Sequence, residues 1–331
     1  MARKNSYVTI PLLLSMFLSV VTLPLSSAEM PQSFETWLAD LRAEALVRGI
    51  SQATLNEALS GLKPIPRVIE LDRNQPEFKL TFAEYLNRVV SQNRVVTGRK
   101  KLKEHQSLLT RISQRYGVQP RFLVALWGIE TDFGRYMGDF PMIGAIATLA
   151  YDGRRSSFFR NELFHALRIV QKGHIGAAKM RGSWAGAMGQ VQFMPSTFQS
   201  FAVDYDGDGR IDIWSNLGDV FASAANYLSQ SGWVADQIWG REVSLPTQFN
   251  RKLVSLKTRK RLTEWQALAV RRLNGKDLPM KPNLLASVVQ PDGPEGKAFI
   301  VYRNYRALLE WNQSIFFGLA VGILADRIVE R

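Results

Sequence analysis

The run Asp204-Tyr205-Asp206-Gly207-Asp208-Gly209-Arg210-Ile211-Asp212 sets carboxylates at every second position around two glycines. Oxygen ligands spaced this way converge on one hard cation, and the run follows the opening of an EF-hand calcium loop. Asp204, Asp206, Asp208 and the backbone carbonyl of Arg210 are candidate ligands. Ser215 stands where a bidentate glutamate is usual, so Asp219 is expected to close a longer loop, residues 204–219. The expected ion is a structural Ca2+ or Na+, because saturated carboxylate coordination leaves no reactive position. The plainer reading of the same run is an acidic turn without an ion.

The segment Trp127-Gly128-Ile129-Glu130-Thr131-Asp132-Phe133-Gly134 puts Glu130 at the end of an apolar helix, just before a glycine-rich loop. Apolar neighbours disfavour the ionised form and raise a carboxyl pKa, which suits a general acid near neutral pH. Alone this is weak, since a glutamate at a helix end is usually a surface residue. Further on, Ser183-Trp184-Ala185-Gly186-Ala187-Met188-Gly189-Gln190-Val191-Gln192-Phe193-Met194-Pro195-Ser196 mixes small, aromatic and amide residues. Glycine lets a polymer approach the backbone, and amides and aromatic faces suit sugars, although a tight packing motif reads the same way. Other chemistries lack their residues. His105, His165 and His174 fit no zinc spacing, Glu162 with His165 is half of a di-iron pattern, and there is no cysteine nucleophile, GxSxG, Walker A or GxGxxG motif.

The elements that must position these residues are mostly helical. Apolar residues recur at helical spacing through residues 33–116, with Phe34, Trp37, Leu38 and Leu41 as the first example, and Pro64 and Pro66 break that stretch. Helices are expected near residues 121–130, 143–150, 156–172, 196–203 and 219–230. Strand-like segments at 241–245, 286–289 and 298–301 follow, with a turn at Pro291-Asp292-Gly293-Pro294, and an apolar helical pattern runs from Tyr305 onward. Residues 1–28 read as a cleaved export signal: Arg3 and Lys4, an apolar run, then Ser26-Ser27-Ala28. The expected organisation is signal peptide 1–28, helical subdomain 29–116, catalytic core 117–237, small β-containing subdomain 238–304 and a helical segment 305–331 that packs back on the body. The formal charge of +13 in an exported chain favours an anionic polymer over nucleic acid. Without cysteine no lipoprotein anchor is available, and a periplasmic protein with no stable membrane anchor is expected.

Taken in order, Gly128-Ile129-Glu130-Thr131-x-Phe133-Gly134, Gly182-Ser183-Trp184-Ala185-Gly186-Ala187-Met188-Gly189, Gln192-Phe193-Met194-Pro195-Ser196, the acidic loop and Ala225-Asn226-Tyr227-Leu228 resemble the lytic murein transglycosylase B family. The similarity extends through residues 298–305 and Trp311-Asn312-Gln313-Ser314. It implies a goose-lysozyme-like helical core with an EF-hand-like loop, an added helical subdomain and a small β insertion, a mainly α (α+β) fold. It implies cleavage of the MurNAc-β-1,4-GlcNAc bond of peptidoglycan without water, leaving a 1,6-anhydromuramyl end, with no cofactor for the chemistry. Glu130 would be acid and then base, the substrate acetamido group would stabilise the charge between the two steps, and Ser183 would orient Glu130 or that group. Gln192, Tyr227 and Asn312 would line the glycan groove. Trp311 and Phe317 stand where family tyrosines occur, which keeps stacking and loses a hydroxyl hydrogen bond. The rivals are a lysozyme-type hydrolase, needing a second carboxylate from Asp132, Asp139 or Asp152, and a non-catalytic, calcium-stabilised wall-binding protein.

Overall fold

The computed structural model describes residues 32–74, 80–281 and 283–330. The signal expected over residues 1–28 lies outside them. Six helices fill the first stretch: α1 (Phe34–Val47), α2 (Gln52–Leu59), α3 (Pro66–Arg73), α4 (Phe82–Val89), α5 (Gln92–Glu104) and α6 (Gln106–Tyr116). Their boundaries are chemical. Ser51 and Ser91 accept hydrogen bonds from the backbone at the starts of α2 and α5, and Thr81 forms a capping box with Glu84 at α4. Pro66 opens α3, where its missing N–H costs nothing.

The motif-dense region holds α7 (Pro120–Thr131), α8 (Met142–Asp152), α9 (Ser156–Gln171), α10 (Pro195–Phe201) and α11 (Leu217–Gln230). A short ladder of β1 (Phe140–Pro141) and β2 (Arg181–Gly182) ties its loops together. Then come β3 (Gly240–Ser244), β4 (Lys260–Arg261), α12 (Leu262–Ala267), β5 (Arg271–Arg272), β6 (Leu285–Val289) and β7 (Ala298–Val301), in a sheet ordered β4-β6-β7-β3-β5 with antiparallel neighbours. The helical pattern expected from Tyr305 starts at Arg303 and is two helices, α13 (Arg303–Trp311) and α14 (Ile315–Val329), bent by 119° at the break. Asn312 leaves α13 in an extended conformation, and the Ser314 hydroxyl accepts the Phe317 N–H to start α14. No single helix among the described residues is long and apolar enough to cross a membrane.

Two hydrophobic cores result. In the larger, residues 122–128 of α7 are buried on every side and α14 packs along them, with α5 on another flank. A helix apolar all round must be enclosed, and α7 is. The sheet separates the two cores, because alternate residues of a strand face opposite ways. Phe299 and Val301 of β7 join the large core, while Ala298 and Ile300 join the smaller one with Val243, Leu262, Trp265 and Tyr302.

At the seam between α14 and the sheet, Gly322 lies flat on Trp239. A Cβ there would sit 2.3 Å from the indole ring. The ring has nowhere to go: Trp239 Nε1 donates to Asp326 at 2.9 Å, and Arg121 of α7 holds the other oxygen of Asp326 at 2.8 Å. Gly322→Ala is therefore expected to destabilise the fold by about 1–3 kcal/mol through overpacking. A fall in urea midpoint with an unchanged slope checks this; an unchanged midpoint would show that the seam relaxes freely.

Candidate active site

Glu130 is the penultimate residue of α7, and the helix is stopped just beyond it by an unusual turn. Asp132, Phe133 and Gly134 are all left-handed, with φ of 51°, 62° and 81°. Such a conformation costs a non-glycine residue about 1–3 kcal/mol and persists only when its surroundings enforce it. Here they do. Arg94 and Arg135 hold the Asp132 carboxylate at 3.3 and 3.1 Å, and the Phe133 ring sits edge-on to Trp127. Thr131 accepts the Gly134 N–H and donates to the Gln190 carbonyl at 2.9 Å. Gln190 in turn accepts from Trp127 Nε1 at 2.7 Å and donates to the Trp214 carbonyl. A Cβ on Gly134 would lie 2.3 Å from that same Gln190 oxygen, so the turn requires glycine there.

Trp311, the last residue of α13, donates its indole N–H to Glu130 Oε1 at 2.7 Å. Burial pushes the Glu130 carboxyl up to about 7, and the indole hydrogen bond, which favours the carboxylate, holds it from going higher. The hydroxyl hydrogen bond expected to be lost at 311 has a counterpart here, because the indole N–H is itself a donor. The ring also packs edge-on to Tyr227 and tilted against Phe193. Trp311 lies 5.0 Å from the Tyr227 ring and 5.2 Å from Phe193, and Tyr227 donates its hydroxyl to the Glu310 carbonyl at 2.6 Å.

The remaining expected residues divide. Gln192, at φ 50°, donates through Nε2 to Met137 O and Gly189 O at 3.0 and 2.9 Å, clamping the loop after α7 to the turn before Phe193. The Ser183 hydroxyl accepts the Ala187 N–H at 3.0 Å, so it is tied to its own loop rather than to Glu130. These loops touch backbone to backbone, since a Cβ on Gly138 would fall 2.3 Å from the Gly182 carbonyl. Asn312 is exposed beside Trp311, its side-chain oxygen accepting the Ser314 N–H. Phe317 is not on the groove. It is 5 % exposed and belongs to the large core, because the first turn of α14 points it inward.

Tyr85 is a neighbour that sequence reasoning missed. Its phenol is pushed up first by burial and then by the Glu130 charge, with Arg94 opposing. It lies in the periodic apolar stretch that becomes α4, and nothing local distinguishes it from a packing residue. Asp132 is paired with two arginines and Asp152 with Arg73 at 2.7 Å, and among the described residues no acidic group shifts Glu130.

In the acidic loop, oxygens of Asp204, Asp206 and Asp219 lie within 4.8 Å of one another. Asp219 is 0 % exposed, and burial with the charges of Asp206 and Asp204 pushes it up, although Tyr205 N and Asp212 N donate to its two oxygens at 2.8 and 2.7 Å. Three convergent carboxylates, one buried, are a donor set that suits a hard cation. Asp208, expected as a ligand, is outside that set and accepts the Arg210 N–H at 2.8 Å. The Arg210 side chain reaches away to the His174 carbonyl.

The family model of the Transglycosylase SLT domain matches residues 33–326. The chain belongs to this family. Membrane-bound lytic murein transglycosylase B of Escherichia coli K12 is 30% identical over 297 residues, 85% of this chain and 79% of that protein. SltB3 from Pseudomonas aeruginosa, solved in complexes with NAG-anhNAM-pentapeptide and NAG-NAM-pentapeptide, matches at a TM-score of 0.88 and 46% identity over 90% of this chain and 80% of that one. Escherichia coli Slt35, solved in complex with calcium, matches at 0.75 and 27% over 89% and 92%. This chain is thus a lytic transglycosylase, a peptidoglycan-cleaving enzyme of mainly helical, lysozyme-like fold.

For this transglycosylase the indole hydrogen bond gives a signed prediction. Trp311→Phe keeps the ring and removes the donor that stabilises the Glu130 carboxylate, so the Glu130 pKa rises above about 7. The limb of kcat/KM that falls as Glu130 loses its proton should move to higher pH in the variant. A limb that stays in place, or moves down, would show that Trp311 does not act on the carboxylate.

Proposed function

We propose that Glu130 is the single acid and base of a non-hydrolytic cleavage of the MurNAc-β-1,4-GlcNAc bond. As the acid it protonates the glycosidic oxygen. As the carboxylate so formed it takes the proton of the muramoyl 6-hydroxyl while that oxygen bonds to C1, closing a 1,6-anhydro ring, with the substrate's acetamido group stabilising the charge between the steps. The observation that carries this reading is a desolvated carboxyl poised near 7 on which no acidic group acts among the described residues, with Asp132 and Asp152 held by arginines. A hydrolase needs a second carboxylate to activate water, and none is on offer among the described residues. The anhydro sugar in one complex of the relative SltB3 fits the same product class.

In this reading Trp311 tunes Glu130 and, with Tyr227, forms the aromatic wall of the groove, while Ser183, Gln192 and Asn312 contact the sugar from the surrounding loops and Tyr85 from α4. The division into a helical subdomain to residue 116, a catalytic core at 117–237 and a β-containing subdomain at 238–304 is part of it. The substrate lies outside the cytoplasmic membrane, and the basic start and apolar run of residues 1–28 support export to the periplasm through a cleaved signal. Asp204, Asp206 and Asp219 are assigned as ligands of a structural Ca2+. Their convergence and the calcium complex of Slt35 support this, and the ion's part is to pin the loop to the start of α11.

Mass spectrometry of products from purified peptidoglycan should show anhydromuropeptides with the wild-type enzyme. Glu130→Gln should lower their formation by about two to four orders of magnitude while binding persists. Hydrated reducing ends would overturn the transglycosylase mechanism. Calcium at about a hundred times its Kd should stabilise the wild type by about 2.7 kcal/mol in thermal unfolding, and Asp219→Asn should lose most of that response. Equal responses would remove Asp219 from the site.

A further inference from the structure

The face of the five-stranded sheet toward the smaller core contains an arrangement that the proposed glycan cleavage does not use. In the register of the sheet, Arg241 pairs with Ile300 and Val243 with both Ala298 and Arg272, and Tyr302 extends β7 by donating its N–H to the Trp239 carbonyl at 2.8 Å. Residues two apart on a strand and directly opposite across strands share a face. Arg241, Arg272 and Tyr302 therefore share the face of Val243 and Ile300, which is the side of the smaller core. Two guanidinium groups that cannot lose their charge thus point inward. Among the described residues neither lies within ion-pair distance of a carboxylate. The nearest acid to Arg241 in electrostatic terms, Asp326, is already held by Arg121 and Trp239.

Unsatisfied polar atoms concentrate at this place. Arg241 Nε, Arg272 Nε, Tyr302 Oη and Gln237 Oε1 are buried without a hydrogen-bond partner among the described residues. Tyr302 is only 2 % exposed. Burial pushes its phenol up, and the Arg241 guanidinium, through its charge and a long side-chain contact outside good hydrogen-bond geometry, pulls it back together with the charge of Arg272. Buried polar groups are nearly always paired, because leaving one unmade costs about 1–3 kcal/mol and more for a charged group. The Tyr302 phenol, Arg241, Lys281 and Gln237 line a cavity of about 200 Å³ with Asp236 at its edge. A larger cavity of about 450 Å³ shares Asp236, Gln237 and Lys281 with it.

The chemistry of the walls selects a ligand. Arg241 and Tyr302 supply donors to the lining, and a guanidinium fork matches a carboxylate bidentately. The same lining holds acceptors, the orphan Gln237 oxygen and the Asp236 carboxylate, which suit an ammonium group. We propose that this pocket binds an α-amino carboxylate, its carboxylate held by Arg241 and Tyr302 and its ammonium by Gln237 and Asp236. The larger cavity takes the rest of a longer molecule. A free amino acid and the diamino-acid end of a wall peptide both carry this group, and neither requires the glycan reaction to proceed by the mechanism above. The pocket adjoins the start of α13, whose other end, about 12 Å away along the helix, carries Trp311.

The test is a titration of the isotope-labelled full chain followed through the Arg241 Nε–H resonance, assigned with Arg241→Lys. Glycine and diaminopimelate should shift it saturably. Tyr302→Phe should weaken binding by about fivefold or more. Gln237→Leu, at a half-buried position that tolerates change, should weaken glycine binding and leave acetate binding unaltered. A tetrapeptide containing diaminopimelate that binds more tightly than the free diamino acid identifies the wall peptide as the source; weaker binding identifies the free amino acid. The proposal falls if no saturable shift occurs up to about 50 mM glycine or diaminopimelate. It falls equally if both variants bind like wild type, or if acetate and inorganic phosphate bind as tightly as glycine.

Discussion

The hydrogen bond from Trp311 to Glu130 joins residues 181 positions apart and sets the working state of the acid. Two opposed effects meet at that carboxyl. Desolvation favours the protonated acid, and the indole donor favours the carboxylate. One indole N–H against a mostly apolar wall places it near neutrality, where it can both give and take a proton. The large core can be read as the apparatus for this single contact. The packing of α14 along α7 brings the end of α13 over the end of α7, and the Gly322–Trp239–Asp326–Arg121 seam locks that relation.

The loops around the acid obey a second constraint, that three consecutive left-handed residues must be held in place. Thr131, Gln190 and Trp127 form a buried polar chain under the turn, and Arg94 and Arg135 grip it from outside. Glu162, buried in α9, accepts both the N–H and hydroxyl of Ser196, fixing the start of α10 just after Phe193. A Cβ on Gly182 would meet the Ala187 carbonyl of its own loop, one on Gly186 the Ile146 and Met194 side chains, and one on Gly189 the side chain and carbonyl of Ile213, so that motif is about close packing as much as about admitting a polymer.

Much of this was legible in the sequence because the signals were local. The apolar run before Glu130 announced an enclosed helix, and helical spacing located α7 to α11 within a few residues. The alternating acids announced convergent oxygens. What escaped was set by tertiary register. Tyr85 and Phe317 both sit in apolar helical patterns, yet one faces the acid and the other the core, and only the packing of α4 and α14 decides which. Asp208 fits the loop consensus by position, but a local turn to Arg210 N takes its side chain away from Asp204, Asp206 and Asp219. The family comparison encouraged a stacking role for Trp311 and obscured its N–H, because a missing phenol was weighed without asking what the replacement could donate. Nothing local distinguishes Arg241 and Arg272, and it is the strand register that puts them on the face of the smaller core.

The break between α13 and α14 has a consequence in time. The chain is made from its N-terminus, so Glu130 is in place long before Trp311, Asn312 and the final helix exist. Until those last helices dock, the carboxyl faces water and behaves as an ordinary glutamate, ionised at neutral pH with no proton to give. Docking of α13 thus gives the Glu130 carboxyl its indole partner, and the protonation of this one group reports that the two ends of the large core have come together.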